Sequence, residues 1–528
     1  MKNLILSISS GLLLALSWPT YGFSPLLFIG FVPLLLAIEN IHNSDAKKKG
    51  RKVFFHAYLS FLIWNFISTW WVHYADLYAG IFAITANSLL FTILIRLYYF
   101  IRTRSGLHLG KMFLVTLWIS FEKFHMFWDL SWPWLNLGNG FAESYKWVQW
   151  YEYTGAFGGT LWVWIVNLSI FSIVQNYSNK RKLIFGSLRV LAIVIIPILY
   201  SLNIYSNYEE KGEETEIVVL QPNLDPYSEK FRFSDETLSQ QLIELANEKT
   251  NENTSFVFGP ETSLPGAADR NTFYTTDAAN NIYEFLNQHK GTHFVTGATL
   301  VSKYYTEEEA SEFSNSYKGK FWYDISNSAL HFNINDSLKI YDKSKLVVGV
   351  EHMPFRNVIK PLLGDFVLNL GGTIGTHVTQ DYRTVFENDK FGVKIGPIIC
   401  YESIYGEFVT DYVNNGANIL AVITNDGWWK ESQGHKQHLS FSRLRAIENR
   451  RSVARSANTG ISAFINQRGD ILKSLKYDTK GSLSASINVN NELTIYTQHG
   501  DYIARISIFL FVLLLTYGIA NNINRRYI

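Results

Sequence analysis

The chain has 528 residues, of which 47% are hydrophobic and 16% aromatic, yet its mean hydropathy is only +0.01, so a strongly apolar part is averaged with an ordinary polar one. A chain longer than one usual hydrophobic core calls for more than one structural unit. The formal net charge of +2, with basic residues in short clusters between apolar runs, excludes a nucleic-acid partner and points to a membrane.

A helix that crosses a bilayer needs roughly 20 mainly apolar residues. Eight such segments are predicted: Leu4 to Trp18, Pro25 to Ile38, Val53 to Val72, Ala79 to Ile101, Met112 to Met126, Thr160 to Gln175, Ile184 to Tyr200 and Tyr502 to Ala520. The first two are short and joined at Trp18-Pro19, so a re-entrant hairpin also fits them. If the helices alternate, Lys2, the cluster Lys47 to Lys52, the group Arg102, Arg104 and Lys111, the run Lys180 to Lys182, and Arg525 with Arg526 all fall on one side. The Lys/Arg bias of short loops makes that side cytoplasmic, with both termini there and Ser206 to Gly500 outside. Lys2 and the apolar run behind it lead into further spans without a small-residue cleavage site, which reads as a retained segment. The expected domains are a seven-helix bundle over 1–205, a catalytic domain over 206–500 and a closing transmembrane helix over 501–528.

Inside the fifth span, Glu122 and Lys123 are either a functional site or charges that snorkel to its outer end. His56 reads as a polar core contact and Arg96 as a snorkelling side chain. The stretch Trp128 to Phe141, with Trp132-Pro133-Trp134, reads as an aromatic belt at the membrane interface, able to line a lipid entry.

The segment 206–500 changes character, with strand-like patches at Ile217 to Leu220, Phe256 to Phe258, Phe294 to Thr296, Ala329 to Asn333, Val393 to Ile399, Ile419 to Ile423 and Ile461 to Asn466. Helical patterns at Glu236 to Lys249 and Asn280 to His289 lie between them, so a layered α/β fold is predicted. Glu307 to Glu312 reads as an exposed acidic loop.

Three pieces of this segment carry chemistry at strand ends, where α/β sites are built. Glu261 follows an apolar strand and a Gly259-Pro260 corner; Lys343 sits in Tyr341-Asp342-Lys343-Ser344-Lys345-Leu346-Val347, ahead of Glu351; and Cys400, followed by Tyr401-Glu402, ends the strand from Val393. Cys400 is the sole cysteine, which excludes an internal disulfide and leaves it either a small core filler or a reactive thiol. Together the three supply what acyl transfer through a thioester requires: a nucleophile, a base to take its proton, and a cation for the developing oxyanion.

The Gly-Pro-Glu-Thr turn, the Tyr-x-Lys-x-x-Leu-Val segment with Glu351 eight residues after Lys343, and Cys400-Tyr401-Glu402 resemble the three motifs of the nitrilase superfamily. Eight spans with one such domain between the last two resemble, more narrowly, the apolipoprotein N-acyltransferases of bacterial envelopes. The likeness extends to Gln221-Pro222-Asn223, to Asn425-Asp426-Gly427-Trp428-Trp429, to Gln437-His438, and through Arg443 to Ser462. It implies a multi-span helical bundle in the inner membrane with a periplasmic αββα sandwich. It also implies a ping-pong reaction in which Cys400 takes an acyl chain from a phospholipid and passes it to the N-terminal amine of a diacylglyceryl-cysteine apolipoprotein. Glu261 would be base and then acid, Lys343 would stabilise the tetrahedral intermediates, and Glu351, Tyr401 and Glu402 would support the site. Phe231 stands where the family places an aromatic near the substrate entrance, and Trp428 with Trp429 would form a substrate-facing arm that Gly427 lets move. The sequence departs from the family at Val348-Gly349-Val350. No cofactor is expected, and no metal, since no histidine pair has ligand spacing. A membrane-tethered amidase acting on a small amide, and a transporter with a non-catalytic external domain, are the alternatives.

Overall fold

The computed structural model describes residues 1–176, 178–311, 313–355 and 377–527, with no side chain described beyond 520. Glu312, Ile528 and the side chains of Arg525 and Arg526 therefore lie outside the described residues. Two compact units are formed: one from residues 1–73, 77–207 and 499–528, the other from 74–76 and 208–498.

The first unit is helical: α1 (Lys2–Ala15), α2 (Val32–Asn43), α3 (Lys49–Thr69), α4 (Leu77–Ser105), α5 (Leu107–Phe124), α6 (Tyr151–Gln175) and α7 (Lys180–Asn207), closed later in the chain by a helix over Tyr502–Tyr527. Among the described residues, six helical segments are long and apolar enough to cross a membrane. The other two predicted spans are helical but differ: α1 has only 14 residues, and α5 carries Lys111, Glu122 and Lys123. Aromatic rings pack the bundle, with Phe91 stacked 4.9 Å from Trp118 and Phe31 tilted against Trp164 at 4.4 Å.

Neither Glu122 nor Lys123 snorkels. Glu122 is buried and accepts hydrogen bonds from Trp118 Nε1 at 3.0 Å, Leu137 N at 2.9 Å and Thr160 Oγ1 at 2.7 Å, which pins the irregular segment after α5 to α6. Lys123 Nζ is paired with Asp501 at 2.8 Å, and both are buried. Trp134 and Leu137 are likewise buried, with Trp134 4.8 Å from the Trp71 ring, so the later part of this stretch packs into the bundle, while Trp128 and Trp132 stay half-buried. His56, half-buried, shares a hydrogen between Nδ1 and buried Ser7 Oγ at 2.8 Å, a polar contact at the edge of the core that was predicted for it.

The second unit is built on two sheets. The first joins β1 (Glu214–Gln221), β2 (Thr254–Phe258), β3 (Leu264–Asp269), β4 (His293–Tyr304), β5 (Asn315–Tyr317), β6 (Phe321–Phe332), β7 (Lys339–Asp342) and the late strand Gly481–Asn488. The second runs in the order Ile471–Ser474, Ala463–Ile465, Ser452–Ala457, Ile419–Thr424, Val393–Ile399, Phe386–Asn388, parallel across its three central strands. The period of two decides which face packs where. Ile217, Val219, Phe256, Phe258 and Val295 share a core with Ile395, Leu420 and Val453 of the other sheet. Their neighbours Val218, Leu220, Val257 and Phe294 pack instead on α8 (Asp235–Asn247) and α9 (Asp277–Gln288) through Leu238, Leu242, Ile282 and Phe285. Ser234 and Thr276 cap these two helices, accepting from Thr237 N at 3.2 Å and Ala279 N at 3.3 Å. With helices Gly406–Asn414 and Gln433–Asn449 packed in the same core, through Val409, Val413 and Ala446, the unit is a layered α/β fold.

Removing one partner of a buried ion pair leaves an uncompensated charge, at a cost of about 3–5 kcal/mol. Asp501→Ala is therefore expected to lower the detergent-solubilised protein's melting temperature sharply, and Lys123→Met combined with Asp501→Leu to restore most of it. Equal melting temperatures for wild type and Asp501→Ala would show that the pair contributes nothing.

Candidate active site

Glu261 and Lys343 come from the first sheet and Cys400 from the second. The turn after β2 is fixed to β4, since Val295 O accepts from Gly259 N at 2.8 Å and Pro260 O from Gly297 N at 3.0 Å. Gly297 is required by this approach, because a Cβ there would lie 2.7 Å from Glu261 Cα. Lys343 follows β7 directly, its N–H given to Asn327 O on β6 at 2.8 Å. Cys400 closes the strand Val393–Ile399 in a left-handed conformation with φ of 50°, uncommon for a residue with a side chain and typical of strain held at functional sites.

These elements bring the carboxylates and the ammonium together. Lys343 Nζ lies 2.9 Å from both Glu261 Oε1 and Glu351 Oε1. Asn327 Nδ2 bridges the same two carboxylates at 2.8 and 2.9 Å. Glu261 Oε2 accepts from Asn425 N at 3.0 Å and Glu351 Oε2 from Val347 N at 2.9 Å. Burial lowers the Lys343 ammonium's pKa, but Glu261 and then Glu351 outweigh it and hold the group well above the usual lysine range. Glu351 is the mirror case, where burial raises the carboxyl but Lys343 chiefly brings it below its ordinary value. The departure at Val348-Gly349-Val350 is accommodated by Gly349 at φ of 82°, whose N–H reaches His352 O at 2.8 Å, so Glu351 still arrives beside Lys343.

The thiol is the opposite kind of group. Burial pushes Cys400 up, the Glu261 charge adds to this, and Lys343 offsets only part, so it is protonated at neutral pH. Its backbone is held from beneath: Cys400 O accepts from Ser403 Oγ at 2.8 Å and lies 3.1 Å from His438 Nε2. His438 Nδ1 is 2.9 Å from Asp426, which also accepts from Arg455 at 2.5 Å. Burial lowers the His438 ring, as does Arg455, while the Arg455 charge, opposing burial, depresses Asp426 strongly. Donor atoms of Cys400, Asp426 and His438 lie within 4.8 Å of one another, close enough for a metal, but Arg455 already places a cation against Asp426.

Glu402 is fully buried and joins the two sheets' contributions, accepting from Tyr341 OH at 2.6 Å and Ser344 N at 2.7 Å on one side and Ile399 N at 2.8 Å on the other. It thus ties the Lys343 segment to the Cys400 turn. Tyr401 is buried beside the Tyr405 ring at 5.4 Å, away from an open surface. Phe231 is 66% exposed, whereas Trp428 and Trp429 are half-buried. The Trp428 carbonyl accepts from Tyr227 OH at 2.7 Å, and a Cβ at Gly427 would meet Pro226 at 3.1 Å, so the glycine serves close packing of this arm on the 226–227 turn.

Sequence reasoning missed Asn327 and Lys230. Asn327 sits in a buried strand among serines, where a polar residue at an inward position was the available signal. Lys230 is buried next to exposed Phe231, its ammonium donating to Glu261 O at 3.3 Å and to Thr262 Oγ1, and burial lowers its pKa to about 8.

Residues 219–492 match the carbon-nitrogen hydrolase family, and the chain belongs to that family. Residues 10–169 match the apolipoprotein N-acyltransferase N-terminal domain. The chain is similar to the apolipoprotein N-acyltransferase of Chlorobaculum tepidum, 26% identical over 524 residues that cover 96% of this chain and 94% of that one. The enzyme of the same name from Rickettsia typhi is 28% identical over 537 residues, covering 97% of each. Among solved structures, an amidase from Nesterenkonia sp. aligns with 56% of this chain and 96% of its own at a TM-score of 0.36 and 15% identity.

Because thiolate is the reactive form and the thiol's pKa lies above its ordinary value, Cys400 alkylation should keep rising with pH through 9 without a plateau. If Glu261 takes the proton, Glu261→Gln slows alkylation at pH 7, although losing the negative charge alone would speed it. Pseudo-first-order labelling with iodoacetamide decides, and a faster variant would refute the base role.

Proposed function

We propose that this enzyme transfers a fatty acyl chain from a membrane phospholipid, through a thioester on Cys400, to the N-terminal amine of the diacylglyceryl-cysteine of apolipoproteins. The observation that carries this reading is the buried Glu261–Lys343–Glu351 cluster beside a strained thiol, in a chain whose helical part matches the N-terminal domain of apolipoprotein N-acyltransferases.

Glu261 takes the proton of Cys400 as sulfur attacks the phospholipid ester carbonyl. The carbonyl π electrons move to oxygen, and the oxyanion is met by the positive charge of Lys343, held between Glu261 and Glu351. Collapse expels the lysophospholipid oxygen, protonated by Glu261, and leaves the acyl thioester. The lipoprotein amine then attacks, Glu261 takes its proton, and the thiolate leaves to be reprotonated. Glu351 and Asn327 hold Lys343 and Glu261 in place; Glu402 and Tyr401 hold the Cys400 turn; Phe231, Trp428 and Trp429 meet the lipid. The amidase alternative uses the same cluster with water as acceptor, and a bundle of apolar helices is what distinguishes a lipid-using transferase from it. The catalytic domain, 206–500, is external, at the periplasmic side of a bacterial inner membrane, with 501–528 returning the chain.

Lys343→Ala is expected to lower kcat on the order of a hundredfold or more with KM little changed, because its interaction is strongest as the oxyanion forms. A change confined to KM would remove that role. A reporter fused after Lys211 is expected to be external and one after Lys48 cytoplasmic; the reverse would put the lipoprotein out of reach.

The transferase is separated from the amidase by partition of the isolated acyl-enzyme. Discharge by a diacylglyceryl-cysteine peptide should far outpace discharge by buffer or by the same peptide without lipid. If water discharged it equally fast, the hydrolase reading would replace this one.

A further inference from the structure

Within the helical unit, α5, α6 and α7 enclose a groove of about 480 Å³, where α5 and α7 begin and α6 ends. Its walls carry His108 and Lys111 from α5 and Lys182 and Arg189 from α7, over a floor that includes Val115, Ile165 and Leu168. Lys111 is drawn inward, its ammonium donating to Ser172 Oγ at 2.7 Å and standing 4.9 Å from the Phe171 ring. A lysine serving only to mark the cytoplasmic side would extend outward along its stem. Among the described residues, no ion pair joins Lys111, Lys182 or Arg189 to a carboxylate, and Glu39, at the same end of the bundle, is already held by Arg102 at 2.6 Å.

The groove does not stop at its basic end. Ile165 also lines a second cavity of about 460 Å³, walled by Trp150, Trp162, Ile196 and Pro197, so the two run along the α6–α7 seam. From Ser172 to Gly158 this seam extends roughly 20 Å at 1.5 Å per residue, more than the roughly 15 Å that is half a hydrocarbon core. The room exists because α7 packs loosely: of its 28 residues only Ser201 is buried. It comes close at Gly186, where a Cβ would lie 2.7 Å from Ile173.

We propose that this groove is a binding site for an anionic glycerophospholipid, its phosphate and headgroup among Lys111, Lys182 and Arg189 and one acyl chain laid along Ile165 toward Trp162. A basic pocket between membrane helices is matched by an anionic headgroup, while the ammonium of a zwitterionic lipid would be set among cations. Free phosphate would engage the cations but leave the apolar floor bare, whereas a lipid covers both. A bound lipid would supply the packing that α7 lacks, and α7 is the helix that leads the chain into β1.

The test is native mass spectrometry of the delipidated full chain in detergent, with dioleoyl phosphatidylglycerol or dioleoyl phosphatidylcholine added at equal concentration. Wild type is expected to retain phosphatidylglycerol at least tenfold better and to gain thermal stability from it alone. Lys182→Gln with Arg189→Gln should weaken retention on the order of 30-fold, at the affinity usual for two basic residues near a charged lipid. Lys182→Arg should keep it, and Leu168→Trp, which fills the floor without touching a charge, should lose it. Should the double glutamine variant fold poorly, the last two substitutions carry the decision. Equal retention of both lipids, or retention unchanged in Leu168→Trp, would overturn the site.

Discussion

The second unit depends on one buried ammonium set between two carboxylates. Taking Lys343 and its partners out of water costs several kcal/mol per ion, repaid only when geometry and further hydrogen bonds are good. Asn327, Asn425 N and Val347 N provide those bonds. The donors come from the middle of β6 and from two separate loops, so the cluster can form only once β2, β6, β7 and the loop at Asn425 are in register. The geometry of this cluster and the fold are thus the same constraint seen at two scales.

That arrangement leaves two unlike groups side by side. Lys343 and Glu351 stay charged because each compensates the other, while the thiol stays protonated because burial and Glu261 disfavour a negative charge on sulfur. On the proposed mechanism this is what a resting acyltransferase needs: sulfur protected until an ester carbonyl arrives, then deprotonated as the bond forms. Glu402 keeps the distance between the two groups fixed, since one carboxylate accepts from both the Lys343 segment and the Cys400 turn.

Much of this was legible in the sequence where chemistry and hydrophobicity coincide. Apolar strands such as Ile419 to Ile423 and Val393 to Ile399 announced themselves, and the site residues lie at their ends. Ser452–Ala457 and Gly481–Asn488 did not, because serine, glycine and a buried arginine hide a strand whose burial is set by partners on other elements. Asn327 and Lys230 escaped for the same reason, each being defined by distant groups. Glu122, Lys123 and Trp134 show the limit from the other side: charges and a ring near the end of an apolar run suggested function, snorkelling or an interface, whereas their partners at Thr160, Asp501 and Trp71 hold them in the bundle core.

The most direct test is to capture the intermediate. Enzyme incubated with phospholipid carrying an isotope-labelled acyl chain, with no acceptor, should gain the mass of one acyl chain, located on the Cys400 peptide and released by neutral hydroxylamine. Label on any other residue, or turnover of phospholipid and lipopeptide by Cys400→Ala enzyme, would contradict the account.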